Sequence, residues 1–368
     1  MLNKRNLVNN EYMKKYRFLV ISVALLTAAC SNFSTRYTPR ETKEPLHLPD
    51  NLVTKSDIKQ VDCSFDTKPH WPTVTCGELQ VPEDYLSTSG NTVTLPFVIL
   101  GEITEGGPYP LLVAGGGGPG GALGISPDDP YFITEEYWYP YYLPTLSVER
   151  PLILIDNRGV GSSQPNLNCG NFEPVLSDLI EQQPTFDESL DIYRSAVTDC
   201  RDNLLSNGVD VKQYNVINAA RDINELRKLL NIEQLNLWGQ SYGTRVALMY
   251  EQLFPSKTRS MVLDGVFPLT TKSYEQMPAI LFETFEKVFA QCRLNDACKD
   301  RFGANLEQEF INYLSELEKE PLPITVEHPF TLKTIEIKQR QKSLSLRSST
   351  YSTLASLSKN CHRGCMQS

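Results

Sequence analysis

The chain has 368 residues, 40% hydrophobic and 21% charged, which is enough length and apolar content for one large or two modest globular domains. Lys and Arg number 35 against 44 Asp and Glu, a formal charge of −9. That balance leaves no broad basic face for a polyanion and argues against nucleic acid as a partner. Histidine is scarce, with His47, His70, His328 and His362 the only four, so imidazole chemistry has few places to sit.

In chain order, Lys14, Lys15 and Arg17 lead into an uncharged apolar run from Phe18 to Ala29, too short to span a bilayer as a helix. It reads as a secretory signal. The run ends Leu26-Thr27-Ala28-Ala29-Cys30, and small residues directly before a Cys are similar to the lipobox of bacterial lipoproteins, although Thr27 stands where Leu is more usual. The resemblance implies that residues 1–29 are a lipoprotein signal peptide and that Cys30 is acylated and becomes the new N-terminus. The alternative is a soluble export signal with Cys30 incidental. Ser31 after the Cys, rather than Asp, favours the outer membrane in a cell that has one. The expectation is therefore an exported protein on the periplasmic or cell-surface face of a bacterial envelope, held to the membrane by a lipid anchor. Residues 30–59, polar with scattered Pro, read as a tether.

Eight further Cys suit an oxidising compartment. Cys63/Cys76, Cys169/Cys200 and Cys292/Cys298 form three local pairs, whereas zinc sites favour closely spaced Cys knuckles with partners nearby. Disulfides are the better reading, although spacing alone does not fix connectivity. No metal is expected.

Residues 91–100 alternate like a strand, with Pro96 favouring an edge position. The runs Pro110-Leu111-Leu112-Val113-Ala114 and Leu152-Ile153-Leu154-Ile155 are apolar throughout, as in strands buried on both faces of a parallel sheet. A polar, helix-periodic region spans about 172–205. An amphipathic helix follows over 218–230, with Ala219, Ile223, Leu226, Leu229 and Leu230 on one side and Asn218 as its N-cap. Then come a strand, Leu235-Asn236-Leu237-Trp238, a helical stretch to Leu253, and another strand, Met261-Val262-Leu263. This alternation predicts a mostly parallel α/β sheet. Residues 271–336 read as a helical cap segment around Cys292 and Cys298, closing in a hairpin that turns near His328-Pro329. The core is expected over 60–270.

Gly239-Gln240-Ser241-Tyr242-Gly243 is a Gly-x-Ser-x-Gly pattern, which a chain of this length shows by chance about once in ten. Its context gives it weight. A strand enters, a helix leaves, and glycines on both sides of Ser241 permit the strained turn that lifts a nucleophile above the sheet edge. Attack on a carbonyl creates an oxyanion that needs backbone N–H donors already in place. Tyr242, the residue after the nucleophile, supplies one, and the loop Gly115–Gly121 is placed to supply the other. That loop lacks the features of a phosphate-binding loop: no Lys-Ser or Lys-Thr follows it, and no Gly-x-Gly-x-x-Gly opens a helix.

Taken together, these segments resemble the serine aminopeptidases of the α/β-hydrolase fold, the proline iminopeptidases and secreted tripeptidyl aminopeptidases. Gly117-Gly118-Pro119-Gly120 matches their Gly-Gly-Pro-Gly loop. Asp156-Asn157-Arg158-Gly159-Val160-Gly161-Ser162-Ser163 matches their Asp-x-Arg-Gly-x-Gly-x-Ser segment. Gly239 to Thr244 matches their elbow, and Leu263 to Val266 matches a strand ending Leu-Asp-Gly-Val. The resemblance covers roughly residues 60 to 335. It implies an α/β-hydrolase fold with a helical cap, Ser241 as nucleophile, and Tyr242 and Gly118 (or Gly117) as oxyanion donors. Asp156 and Arg158 would brace loops. The implied activity is release of residues or short peptides from substrates with a free N-terminus, through an acyl-enzyme and without a cofactor.

In this fold the triad runs Ser, then Asp or Glu, then His, the last two after later core strands. The chain beyond Leu263 shows cap-like helices and one hairpin but neither of those strands. His328 lies at the hairpin turn, His362 in a tail, and Asp264 one strand too early. From Ile337 to Ser368 there is no Asp or Glu, and residues 341–368 hold eight Ser. This tail, 337–368, reads as the product of a frameshift or premature stop, so the expectation is a truncated chain without its last core strands and with little or no activity. An esterase or thioesterase of the same fold and a non-catalytic envelope lipoprotein are the alternatives.

Overall fold

The computed structural model describes residues 55–67, 71–87, 90–118, 150–170, 172–303, 305–329 and 331–339. The strands are β1 (Asp57–Val61), β2 (Val74–Pro82), β3 (Thr92–Leu100), β4 (Leu111–Ala114), β5 (Leu152–Ile155), β6 (Leu235–Gln240), β7 (Thr258–Asp264), β8 (Leu322–Glu327) and β9 (Thr334–Gln339). The helices are α1 (Phe172–Gln182), α2 (Phe186–Ser206), α3 (Val216–Leu229), α4 (Gly243–Leu253), α5 (Ser273–Leu294), α6 (Asp296–Phe302) and α7 (Leu306–Lys319). Among these residues the chain forms two compact units, one from 55–170 and 197–271, the other from 172–196 and 272–339. The helical unit is thus assembled from two separate stretches of chain.

The first unit is an α/β fold built on one seven-stranded sheet in the order β1-β2-β3-β5-β4-β6-β7. The four strands β5, β4, β6 and β7 run parallel, and β3, β2 and β1 continue the sheet antiparallel. All four residues of β5 are buried, as its uninterrupted apolar run requires of a strand covered on both faces. One face packs Leu112, Ile153 and Leu237 against Ala219, Ile223 and Leu226 of α3 and Val246, Ala247 and Tyr250 of α4. The other gathers Val98, Val113 and Leu154 with Cys76. Burying a side chain of this size contributes roughly 1.5–3 kcal/mol, so these two layers hold the parallel strands in place.

Two local expectations are corrected. Strand β3 is interior, paired with both β2 and β5, although Pro96 favoured an edge. Pro96 lies one residue beyond the ladder to β5, whose last pair is Phe97 with Ile155. Its carbonyl accepts the N–H of Asp156 at 3.3 Å, so the missing proline N–H faces the point where β5 has already ended. The N-cap of α3 is Asn215 rather than Asn218: its side chain accepts the Asn218 N–H at 3.0 Å from an extended backbone. Asn218 is instead inside the first turn, buried, with its amide donating to the Gln213 carbonyl at 2.9 Å.

Cys63 is bonded to Cys76, Cys169 to Cys200 and Cys292 to Cys298, with Cα separations of 5.3, 5.7 and 5.3 Å. In the helical unit the last of these links the end of α5 to α6 beside a cluster of Phe285, Phe289 and Phe310. Strands β8 and β9 form an antiparallel hairpin. The outward edge of β9 is covered by the side-chain amide of Gln183, which donates to the Glu336 carbonyl (3.4 Å) and accepts from the Lys338 N–H (2.7 Å). An amide that pairs this way stands in for a neighbouring strand and closes an edge that would otherwise be open.

Candidate active site

Strand β6 lies between β4 and β7, and its last residues bring the chain to the end of the parallel strands. At the turn that follows, Ser241 has φ 51°, a left-handed conformation that costs a residue with a side chain about 1–2 kcal/mol. The turn is over-determined by its surroundings. The Ser241 N–H donates to the Asp264 carbonyl at 2.8 Å, and the Ser241 carbonyl accepts from both the N–H (3.1 Å) and the hydroxyl (2.6 Å) of Thr244. A Cβ on Gly239 would stand 2.7 Å from the Gly243 carbonyl oxygen, and one on Gly243 would collide with the carbonyl oxygen of Ala114. Glycine is therefore required at both positions by close backbone approach. Ser241 itself is exposed above the sheet, with α4 starting directly behind it.

Tyr242 forms the N-cap of α4 with helical dihedrals, φ −59° and ψ −35°. In the loop after β4, Gly116 comes nearest to the nucleophile: a Cβ there would lie 3.3 Å from Cβ of Ser241. Gly117 and Gly118 follow in the left-handed region, at φ 89° and 82°, with open space around Gly118. Nothing in the sequence singles out Gly116, because four consecutive glycines carry no mark of which one touches the elbow. Pro119, Gly120 and Gly121 lie outside the described residues, as do Cys30, the export and tether segments up to residue 54, His47, His70, His362 and the tail from residue 340.

Asp156 and Arg158 brace the loop after β5. The Asp156 carboxylate accepts the Ser162 N–H at 2.9 Å and fills the space where a Cβ on Gly161 would sit. Arg158 is buried. It donates to both carboxylate oxygens of Asp222 on α3 (2.8 and 2.6 Å) and to the carbonyls of Pro82, Glu83 and Gln213. The phenol of Tyr85 donates to the same carboxylate at 2.8 Å. Burial works against the guanidinium charge, but Asp222 outweighs it and holds Arg158 above its ordinary value. Burial and the Asp222 carboxylate together keep the Tyr85 phenol protonated far above the usual range. Removing one partner from such a buried pair leaves an uncompensated charge, which costs about 3–5 kcal/mol.

Asp264 ends β7 opposite Gln240, with an exposed side chain. Among the described residues β7 has β6 as its one strand neighbour, and Val262 on it is 60% exposed. His328, the one histidine among the described residues, belongs to the helical unit and is fully buried. Its Nδ1 accepts the N–H of Thr331 at 3.2 Å, and because a backbone amide can only donate, the neutral ring carries its proton on Nε2. That nitrogen faces Ser177 Oγ at 3.1 Å and Glu181 Oε1 at 3.7 Å. A ring in this tautomer donates to Ser177 and is not its base.

An α/β sheet ending in a strained, exposed serine elbow defines a hydrolase scaffold. The sequence matches the α/β hydrolase fold over residues 110–301, more than half of the chain, and the protein belongs to that family. Its relatives include named peptidases. It is 27% identical over 238 residues to serine protease Hip1 of Mycobacterium tuberculosis, covering 61% of this chain and 42% of that protein. It is 28% identical over 267 residues to the putative hydrolase YuaR of Escherichia coli, covering 68% and 49%. It is 27% identical over 216 residues to the tripeptidyl aminopeptidase of Streptomyces coelicolor, covering 58% and 39%. The chain thus spans less than half the length of these relatives.

Proposed function

We propose that the chain carries the nucleophile of an exported serine aminopeptidase, with Ser241 attacking the carbonyl of a peptide bond near a free N-terminus. The observation that carries this is the left-handed, exposed Ser241 whose backbone N–H and carbonyl are both held in place. In the reaction a bond forms from Oγ to the carbonyl carbon, the C–N bond breaks, and the departing amine takes a proton. Water then cleaves the acyl-enzyme and restores Ser241. The N–H of Tyr242 and an N–H of the Gly116–Gly118 loop would hold the oxyanion. Aminopeptidase rather than ester hydrolysis is favoured by the tripeptidyl aminopeptidase relative. Export and anchoring through Cys30 rest on the N-terminal sequence. Among the described residues no helix is long and apolar enough to cross a membrane.

The second part of the proposal is that this chain turns substrate over slowly. Among the described residues the one imidazole is that of His328, whose Nδ1 accepts from Thr331 so that its Nε2 donates, and a ring in that state does not act as a base. Both parts meet in one experiment. Adduct formation on Ser241 by a fluorophosphonate is followed by mass spectrometry across pH, alongside hydrolysis of tripeptidyl nitroanilides and the matching nitrophenyl esters. The expected result is a slow adduct confined to Ser241 and absent from Ser241→Ala. Its rate should rise about tenfold per pH unit with no plateau near neutrality, the pattern of hydroxide acting where a base is missing. No adduct at Ser241 defeats the nucleophile assignment. A plateau near pH 7 with rapid nitroanilide turnover defeats the slow-chain reading, and ester turnover alone favours an esterase.

A further inference from the structure

The elbow contains a side chain that its motif does not explain. Thr244, in the first turn of α4, has no exposed surface. Its hydroxyl donates to the Ser241 carbonyl at 2.6 Å and accepts the N–H of Phe267 at 2.8 Å. Phe267 lies in the loop between β7 and α5. The next residue of the helix, Arg245, holds the same loop: its guanidinium donates to the carbonyls of Leu269 (3.1 Å) and Thr271 (3.4 Å) and stacks 4.5 Å above the Phe267 ring. A relay therefore runs from the Phe267 amide through the Thr244 hydroxyl to the carbonyl of the nucleophile.

That carbonyl shares a planar trans peptide unit with the N–H of Tyr242, and in such a unit the C=O and N–H point in opposite directions. Fixing the Ser241 oxygen inward toward α4 therefore fixes the Tyr242 N–H outward. The peptide needs fixing, because Ser241 holds a left-handed conformation that relaxation would rotate away. We propose that Thr244 is a positioning residue that aims the Tyr242 oxyanion donor by clamping the Ser241 carbonyl, and that the Phe267 amide holds the clamp in register. Donors in series polarise one another, so the Phe267 bond strengthens the hydroxyl's grip on the carbonyl. The inference rests on Ser241 being the nucleophile.

The test compares Thr244→Val, which keeps the shape and removes the hydroxyl, with Thr244→Ser, which restores it, in the full chain. The readouts are the fluorophosphonate adduct rate at Ser241 and thermal unfolding. In adduct formation Oγ–P forms, P–F breaks, fluoride leaves and the serine proton passes to solvent, with negative charge growing on the phosphonyl oxygen that Tyr242 would hold. The valine variant should react about 10- to 100-fold more slowly, less than the roughly 100- to 1,000-fold of losing an oxyanion donor outright because the donor is misaimed rather than removed, and the serine variant within about threefold of the parent. Rescue by serine separates aiming from mere packing, since serine lacks the methyl that packing would need. A folded valine variant that reacts at the parental rate overturns this inference and leaves the nucleophile standing. If the valine variant unfolds, the serine variant decides: a rate as low as that of Ser241→Ala overturns the inference, and a near-parental rate supports it. An unreactive parent overturns both readings.

Discussion

Ser241 sits at φ 51° between β6 and α4, exposed, with its backbone N–H and carbonyl both held. Ser177 lies within α1, half-buried, with its hydroxyl 3.1 Å from the ring of a buried histidine. On contacts alone Ser177 looks like a catalytic serine, because a His ring faces its hydroxyl and a carboxylate lies close to that ring. The geometry reverses that impression. Thr331 pins Nδ1 of His328 as an acceptor, so Nε2 donates, and Glu181 approaches the same nitrogen rather than the opposite one, where an orienting acid would have to bind. A nucleophile is defined by how the backbone presents it and by which nitrogen faces it, and a Ser–His distance settles neither.

The widest separation between the two regions should come from backbone space. In Gly243→Ala the new Cβ would meet the Ala114 carbonyl, and neither β4 nor α4 can retreat without disturbing buried Leu112, Val246 and Ala247. The expected cost is roughly 3 kcal/mol or more, with loss of Ser241 reactivity, read by urea unfolding and adduct formation. Parental values for both would mean that the elbow is not over-determined and that the strain at Ser241 has another source.

How much of this was legible in the sequence varies with how local the cause is. The apolar runs of β4 and β5, the close-packed Gly239 and Gly243 and the hairpin turning at His328 are stated by neighbouring residues. The bracing by Arg158 was anticipated in outline, but its partner Asp222 lies 64 residues away on α3, and nothing local to either names the other. Pro96 misled because a missing N–H predicts an edge only when the neighbouring strand is long enough to want it, and β5 stops first. The state of His328 was out of reach for the same reason: the turn places Thr331 on one nitrogen, and the fold brings residues from α1, about 150 positions earlier, to the other.

Within the helical unit, His328→Ala removes the acceptor for the Thr331 N–H and the donor to Ser177 in one step. A cost of about 2 kcal/mol is expected, from one orphaned buried amide and a cavity left by the ring. Faster amide exchange in β8 and β9 would report it. His328→Asn should recover part of the loss, because its side-chain oxygen can take the place of Nδ1. Equal exchange in the two variants would show that the Thr331 contact does not organise the turn.

The smallest effect is expected from Ser177→Ala, and it tests the comparison most directly. The Nε2–H loses its 3.1 Å acceptor, yet Glu181 lies 3.7 Å from the same nitrogen on a side chain that is 55% exposed and free to turn toward it. The donor is re-satisfied at little expense, so the helical unit should lose less than about 1 kcal/mol. The adduct at Ser241 should form at the parental rate. If instead the fluorophosphonate label disappeared with Ser177 and survived Ser241→Ala, the buried pair would be the reactive centre and the elbow an inert turn. That result would also require His328 to give up its bond to Thr331, since only with Nδ1 protonated and Nε2 bare could the ring accept a proton from Ser177.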